Sequence, residues 1–349
     1  MRIDKTIIKI LVCSVVLLMS SCNIHQWPDP EVVIPMRVAV RYNLTDLEWT
    51  QYDVTEGMPQ NEKLRTAQRY LVERTSGKIR YTVRLLSTTT KADTSKDYVR
   101  EYMFVKDVSE GNDIYIELDA PPGEYRVMVW ADYLKPGTDE PYYDISDFAG
   151  ITFNGEHEGN NDNHDAFRGE GTVVLLADGV DDEPIEVGIQ MHRPFAKFEL
   201  VTTDLKAFIE SELARKGNLL DKERLIDLQD YDVVVYYVGF FPDVYSMITD
   251  KPVDASNGVY FESVLTQVDE DRAKLGFDYV FIGNNESAVT VQVAVFDKDD
   301  SLVSLTEPME VLLNRGQHSV LQGDFLLTKA AGGVDLNPDY NGDYNIVVK

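Results

Sequence analysis

The residues of this 349-residue chain that could do chemistry are few and scattered. Four of them sit together in "HEGNNDNHD": His157, Glu158, His164 and Asp165 are all metal-ligating types. A zinc protease needs its two histidines one helical turn apart. These are seven residues apart, in Gly/Asn-rich sequence that holds no helix. A loop could still gather the four around an ion, but a solvated polar loop is the expected reading. In "DLNPDYNGDYN", Asn337, Asp339, Asn341 and Gly342 match the start of an EF-hand-like calcium loop. The bidentate acid such a loop needs at its twelfth position falls on Val348. A turn before a final strand is expected there instead. No G-x-S-x-G, HExxH or P-loop is present, and no pair among the 60 acids is singled out as a glycosidase couple. Catalysis, a metal and a cofactor are therefore not expected.

The two cysteines, Cys13 and Cys22, are explained by their neighbours. Arg2, Lys5 and Lys9 precede or enter an apolar run from Ile7 to Met19, and Ser20, Ser21 and Cys22 follow. The run is shorter than the ~20 residues of a membrane-crossing helix. Basic region, short apolar core and small-residue exit describe a secretory signal. The exit resembles the lipobox of bacterial lipoproteins, with Met19 where that motif usually has Leu. That resemblance implies cleavage after Ser21, loss of Cys13 with the signal (residues 1–21), and a lipid on Cys22. Residues 22–32 would then be a tether. A plain secretory signal with an incidental cysteine is the competing reading. Either way the mature chain holds at most one thiol, which excludes an internal disulfide.

The formal charge is −27, and losing residues 1–21, with three basic groups and one acid, takes it to −29. Such a charge excludes nucleic acid as a partner and any grip on anionic lipid by charge. A hydrophobic content of 44% and an aromatic content of 10% support packed cores.

Positioning elements follow from period-two alternation, the mark of half-buried strands. Strands are expected over 33–42, 78–86, 113–118, 172–176 and 185–191. In "KIRYTVRLL", Ile79, Tyr81, Val83 and Leu85 share one face. "APPGEYRVMVWADYL" adds a turn, then Tyr125, Val127 and Val129 on one face. The phase then changes: Val187, Ile189 and Met191 are odd, whereas Ala196, Phe198 and Leu200 are even. A one-residue slip turns every side chain over, so either a bulge or a domain boundary lies at Pro194. The boundary divides the chain more evenly, into units of residues 33–191 and 192–349. One helix is expected early in the second unit, with Thr203 or Asp204 as N-cap and Leu205, Phe208, Ile209 and Leu213 on one face. Gly217 would close it. Residues 222–229 suit a short second helix, and 57–75 fit either a helix or an irregular strand. Strands follow over 233–241, 259–264, 279–282, 289–296, 309–313, 317–326 and 343–349. The fold class is mainly β: two antiparallel β-sandwich domains with a short helical insertion early in the second.

The order of motifs carries a wider resemblance: "LDAPPGEYRVMVWADY", "YYDISDF" from Tyr142, "DAFRG" from Asp165, "RPFAKFELVTTD" from Arg193, "VYYVGFFP" from Val235, "DKPVD" from Asp250, "LGFDYVF" from Leu275 and "NGDYNIVV" from Asn341. Together they resemble the fimbrillin-like surface lipoproteins of gut and oral anaerobes, in a subfamily of unassigned function. The resemblance spans nearly all of the mature chain. It implies two transthyretin-like or Ig-like sandwiches, an outer-membrane lipoprotein at the cell surface, and a role in adhesion or fimbrial assembly as anchor, tip or accessory subunit. Partners would be the membrane, through the lipid, and other subunits by strand addition, or host or glycan ligands. Fimbrillins proper lose their first strand by cleavage after an Arg; Arg37, Arg41 and Arg74 are the candidates here, and none stands out. The alternative function is a surface lipoprotein that captures glycan. It rests on Trp27, Trp49 and Trp130, the last facing away from Val127 and Val129 in its strand.

Cys22→Ala is expected to leave the precursor unprocessed or released. Metabolic labelling with a fatty-acid analogue should mark the wild type alone, and equal labelling of both would refute the anchor.

Overall fold

The computed structural model describes residues 32–42, 51–53, 77–88, 98–107, 114–177, 183–215, 226–283 and 287–327. Cys13, Cys22, Trp27, Trp49, Arg74, the segment 57–75, Gly217, the 335–343 loop and the 343–349 strand lie outside them. The first half contributes β1 (Ile34–Tyr42), β2 (Gln51–Asp53), β3 (Lys78–Ser87), β4 (Tyr98–Asp107), β5 (Ile114–Ala120), β6 (Gly123–Tyr133), β7 (Tyr143–Asp144), β8 (Ile151–Phe153), β9 (Ala166–Leu175) and β10 (Ile185–His192). The second contributes β11 (Phe195–Thr202), helix α1 (Leu205–Arg215), β12 (Tyr231–Tyr237), β13 (Phe240–Ser246), β14 (Lys251–Asn257), β15 (Tyr260–Val264), β16 (Thr266–Gln267), β17 (Ala273–Phe281), β18 (Ser287–Asp297), β19 (Leu302–Leu305), β20 (Met309–Leu313) and β21 (His318–Gly323).

One sheet runs β4-β3-β6-β9-β10-β1-β5. β9 pairs with β6 along its whole length but with β10 only at Arg168 and Gly169. The sheet folds over at that point, and its two flanks face each other. Val83, Val127 and Val129 from one flank meet Val38, Ile116 and Ile189 from the other in a buried core. Sheets β16-β17-β11-β21-β2, to which the first half lends β2, and β15-β12-β18-β19 enclose another core, with α1 placing Leu205 and Phe208 against it. Both sandwiches contain parallel pairs, β1 with β10 and β11 with β21, which corrects the expectation of purely antiparallel sheets. The partners come from opposite ends of each half, so the intervening strands supply the long crossover that parallel pairing needs.

The phase change at Pro194 is a change of core. Odd residues of β10 point into the first core, and even residues of β11 into the second. Between them, Arg193 and Phe195 are buried where the halves meet. A third cluster occupies that junction: Met128, Trp130, Tyr143, Phe148 and Ile151 from one half pack against Phe195, Tyr245, Tyr279 and Phe281 from the other. Phe281 stacks on Phe195 at 4.5 Å and on Tyr245 at 5.3 Å. The backbone crosses too, since β13 pairs with β8 in the sheet β14-β13-β8-β7.

Local details also depart from expectation. The run expected as one strand over 233–241 breaks into β12 and β13 at Gly239, whose φ of 108° suits only glycine. Asp204 precedes α1, but its carboxylate accepts from the Leu326 and Leu327 N–H groups, tying the far end of the sheet to the helix start. Glu212, not Leu213, is the buried residue of the last turn, held by Tyr231 and Arg215.

We propose that residues 33–191 and 192–349 are two units fused by this third core, so that the described region unfolds in one transition. Asp165 and Arg193 form a bidentate pair within the junction, with both contacts at 2.8 Å and both side chains essentially buried. Breaking a buried pair leaves an uncompensated charge, which costs about 3–5 kcal/mol. Asp165→Ala should lose that much in urea denaturation; a loss below about 1 kcal/mol would show that the pair is not a joint.

Candidate functional site

β1 is the strand on which an assembly role would turn. In "IPMRVAVRY", Ile34, Met36, Val38 and Val40 are buried in the first core. Seven of its residues pair with β10 and seven with β5, so the strand lies inside a sheet layer. On the outer face, Arg37 donates to Glu117 at 2.5 Å and Arg41 to Glu186 at 3.4 Å, one contact to each neighbouring strand. The hydrogen bond and charge of Glu117 raise the Arg37 pKa further above its ordinary value. Exposed pairs of this kind set register more than stability. A processing protease needs an extended, accessible backbone, and Arg37 is laddered on both sides, whereas Arg41 is laddered on the β10 side alone. Arg74 lies outside the described residues.

The 154–165 loop lies across the second half. Asn160, at φ 56°, takes the place of an edge residue beside β17: its N–H donates to the Phe277 carbonyl at 2.8 Å, and its side-chain oxygen accepts from the Phe277 N–H at 2.9 Å. Gly159 passes so close to Phe261 that a Cβ there would lie 2.2 Å from the ring. Asp162 accepts from Lys197 at 2.7 Å and from Tyr279 at 2.9 Å.

His157, Glu158, His164 and Asp165 are not brought together around one point. His157 Nε2 meets Asp278 at 2.6 Å, a carboxylate that also accepts from Tyr237. Asp165 is occupied by Arg193. Glu158 accepts from Asn161, and His164 is buried edge-on to Tyr142. Among the described residues no group of three His, Cys, Asp or Glu could hold a metal ion. Trp130 is fully buried, edge-on to Tyr143 at 5.6 Å, which corrects its reading as a sugar-stacking residue. Its side of β6 faces the third core because the 141–154 segment and β13 cover that sheet, which alternation within β6 could not reveal.

Burial pushes the His164 pKa down to about 4, from 6.5. The unfolded chain therefore takes up a proton near pH 6.5 that the folded chain refuses until about pH 4. Stability from this group is complete above the unfolded value and falls as pH drops through that window, by about 3 kcal/mol at 1.36 kcal/mol per unit. His157 works in the opposite sense: burial lowers its pKa, but Asp278 more than offsets this, so its contribution is present at low pH and is lost as pH rises through its raised pKa. His164→Phe, which preserves the ring packing, should lose less stability than the wild type between pH 6.5 and pH 4. Parallel pH profiles for the two proteins would contradict the assignment.

Set beside known proteins, the chain is similar to a candidate adhesin from Bacteroides ovatus, at TM-score 0.41 and 11% identity over 82% of this chain and 80% of that one. The fimbrial anchor protein Mfa2 from Porphyromonas gingivalis gives 0.38 and 12%, over 78% and 82%. The tip fimbrial protein Mfa3 from the same organism, truncated at its C-terminus, gives 0.35 and 8%, over 81% and 82%. No curated protein matches the sequence. The sequence profile of DUF6562, a family of unknown function, matches residues 44–349, nearly all of both sandwiches, and the chain belongs to that family.

Proposed function

We propose that the mature chain is an outer-membrane lipoprotein, anchored through Cys22 and displayed at the cell surface. It acts without catalysis in adhesion or fimbrial assembly, as an anchor, tip or accessory subunit. The observation that carries this reading is the placement of β1. The first strand after the tether forms an interior strand of its layer, with a parallel neighbour on one side and an antiparallel one on the other. A strand contributed from so near the anchor is one that another chain can replace, because strand addition needs only matching alternation and free backbone groups. The motif order described above supports the same reading. The glycan-capture alternative loses its best-placed residue with the burial of Trp130.

Protease shaving of intact cells should release peptides of this protein that mass spectrometry identifies; their absence would exclude surface display. The role of β1 is tested by a staple. Ala39 and Tyr115 are directly opposite across β1 and β5, within the spacing a cross-strand disulfide spans. Ala39→Cys with Tyr115→Cys should keep the protein on the surface but abolish polymers or co-purification with partner subunits until reductant is added. Unchanged assembly by the stapled protein would rule out exchange of β1.

A further inference from the structure

Three asparagines of the chain are followed by glycine: Asn154, Asn257 and Asn341. This dipeptide loses ammonia in water more readily than others, because glycine has no Cβ to keep its nitrogen away from the preceding side chain. Asn341 lies outside the described residues, and the fold treats the other two differently. Asn154 is half-buried and tied down: its Nδ2 donates to the Pro141 carbonyl at 3.1 Å, and its backbone N–H donates to the Tyr142 carbonyl at 2.8 Å. The side-chain carbon that would have to swing toward Gly155 is held by the first of these bonds. Asn257 is exposed, and its side chain makes no hydrogen bond among the described residues. Gly258 lies past the end of β14 at φ 72°, and donates its N–H to no backbone carbonyl among them. Both groups that must meet are therefore available at Asn257, whereas at Asn154 the side chain is bound.

The place of the Asn257–Gly258 bond gives its chemistry a consequence. β12 runs into β13 through Val238 and Gly239, and β14 runs into β15 through Gly258 and Val259. The two paths thus bend side by side from the sheet β15-β12-β18-β19 into the sheet β14-β13-β8-β7. Gly239, at φ 108°, makes the bend in one path, and Gly258 makes it in the other. Two contacts bracket the bend. Phe240 pairs with Asn257 on one side, and on the other the Tyr237 N–H donates to the Val259 carbonyl at 2.9 Å. Because β13 goes on to pair with β8, this ribbon is also one of the links between the halves. An isoaspartate at position 257 would add one carbon to the main chain between the two brackets. The reach of a backbone is fixed by its bonds, so contacts spaced for the ordinary chain do not both fit the longer one. Either acid product would also set a carboxylate opposite Phe240, which is 71% exposed.

We propose that Asn257 is a site of spontaneous deamidation, with water as the co-reactant, and that its isoaspartate product loosens this bend. The Gly258 nitrogen gives its proton to solvent and attacks the Asn257 side-chain carbonyl carbon. The new N–C bond replaces the bond to Nδ2, and ammonia leaves with a proton taken back from solvent. Water then adds to either carbonyl of the five-membered imide and opens it to isoaspartate or aspartate, so that NH3 is exchanged for H2O and one negative charge is gained. The site is separate from β1 and does not depend on the assembly role. The test holds the purified full-length mature protein at mildly alkaline pH and follows each Asn-Gly link by peptide mapping in the mass spectrometer, with chromatography to separate isoaspartate from aspartate. Asn257 should convert roughly tenfold faster than Asn154, since the reactive rotamer of Asn154 costs its hydrogen bond to Pro141. In protein unfolded by guanidinium chloride the two rates should converge, because only the shared dipeptide then sets them. Asn257→Gln, whose longer side chain closes the ring poorly, should lose the conversion at that position alone. The isoaspartate form should melt below Asn257→Asp, which carries the same charge without the extra carbon. Equal rates at Asn154 and Asn257 in the folded protein, or no conversion of Asn257 while the unfolded protein converts, would overturn the site; equal melting of the two acid forms would overturn its effect on the bend.

Discussion

Arg193 and Asp165 hold opposite sides of the junction together, and much of the molecule is arranged around that contact. The guanidinium is fully buried, which works against its charge. It is tolerated because Asp165 accepts both of its forward donors and the ring of Phe167 lies 4.9 Å from its centre. Its own carbonyl accepts from Arg315 at 2.7 Å, and Arg315 in turn grips Asp250 with two contacts at 2.8 and 2.9 Å. The chain therefore leaves the first sandwich and enters the second through a pinned residue. A pair in this setting contributes specificity more than net stability, because hydrophobic replacements often match or exceed a buried ion pair.

Around this joint, the edges of the sheets are managed by chain from the other half. β17 is paired with β16 only at its start, and Asn160 then satisfies the Phe277 backbone. β13 draws its other neighbour from β8. Covering edges in this way removes the templates on which unwanted strands would pair. It also makes each half depend on the other for backbone hydrogen bonds, a dependence that apolar burial alone would not create.

The motifs quoted from the sequence converge in space. Tyr143, Asp165, Arg193, Tyr237, Asp250, Asp278 and Phe281 come from six of those segments, and all lie in or beside the junction and its polar rim. The segments that carry the family resemblance thus also wire the first core to the second. The acids that could have suggested metal or acid–base chemistry are largely spent on it: Asp162, Asp165, Asp250 and Asp278 each accept from residues of the second half or of the strand crossover.

The alternation of Ile79 to Leu85, of Val127 and Val129 and of Val233 and Val235 was enough to place strands and to say which side of each is apolar, because a strand repeats every two residues whatever surrounds it. The slip in phase at Pro194 was likewise legible, and so was α1 from its spacing. β4 was not: "YVREYMFVKD" is an edge strand whose exposed face carries the apolar Met103 and Val105, so its alternation is faint in the sequence. Nor could the sequence separate a polar face that meets water from one that meets protein. Trp130 read as available to a ligand, and nothing in "KIRYTVRLL" shows that Arg80, Thr82 and Arg84 are buried, because the 141–154 segment that covers them carries no period of its own. Local periodicity decides which residues share a face. Only the packing of one layer on another decides what that face meets.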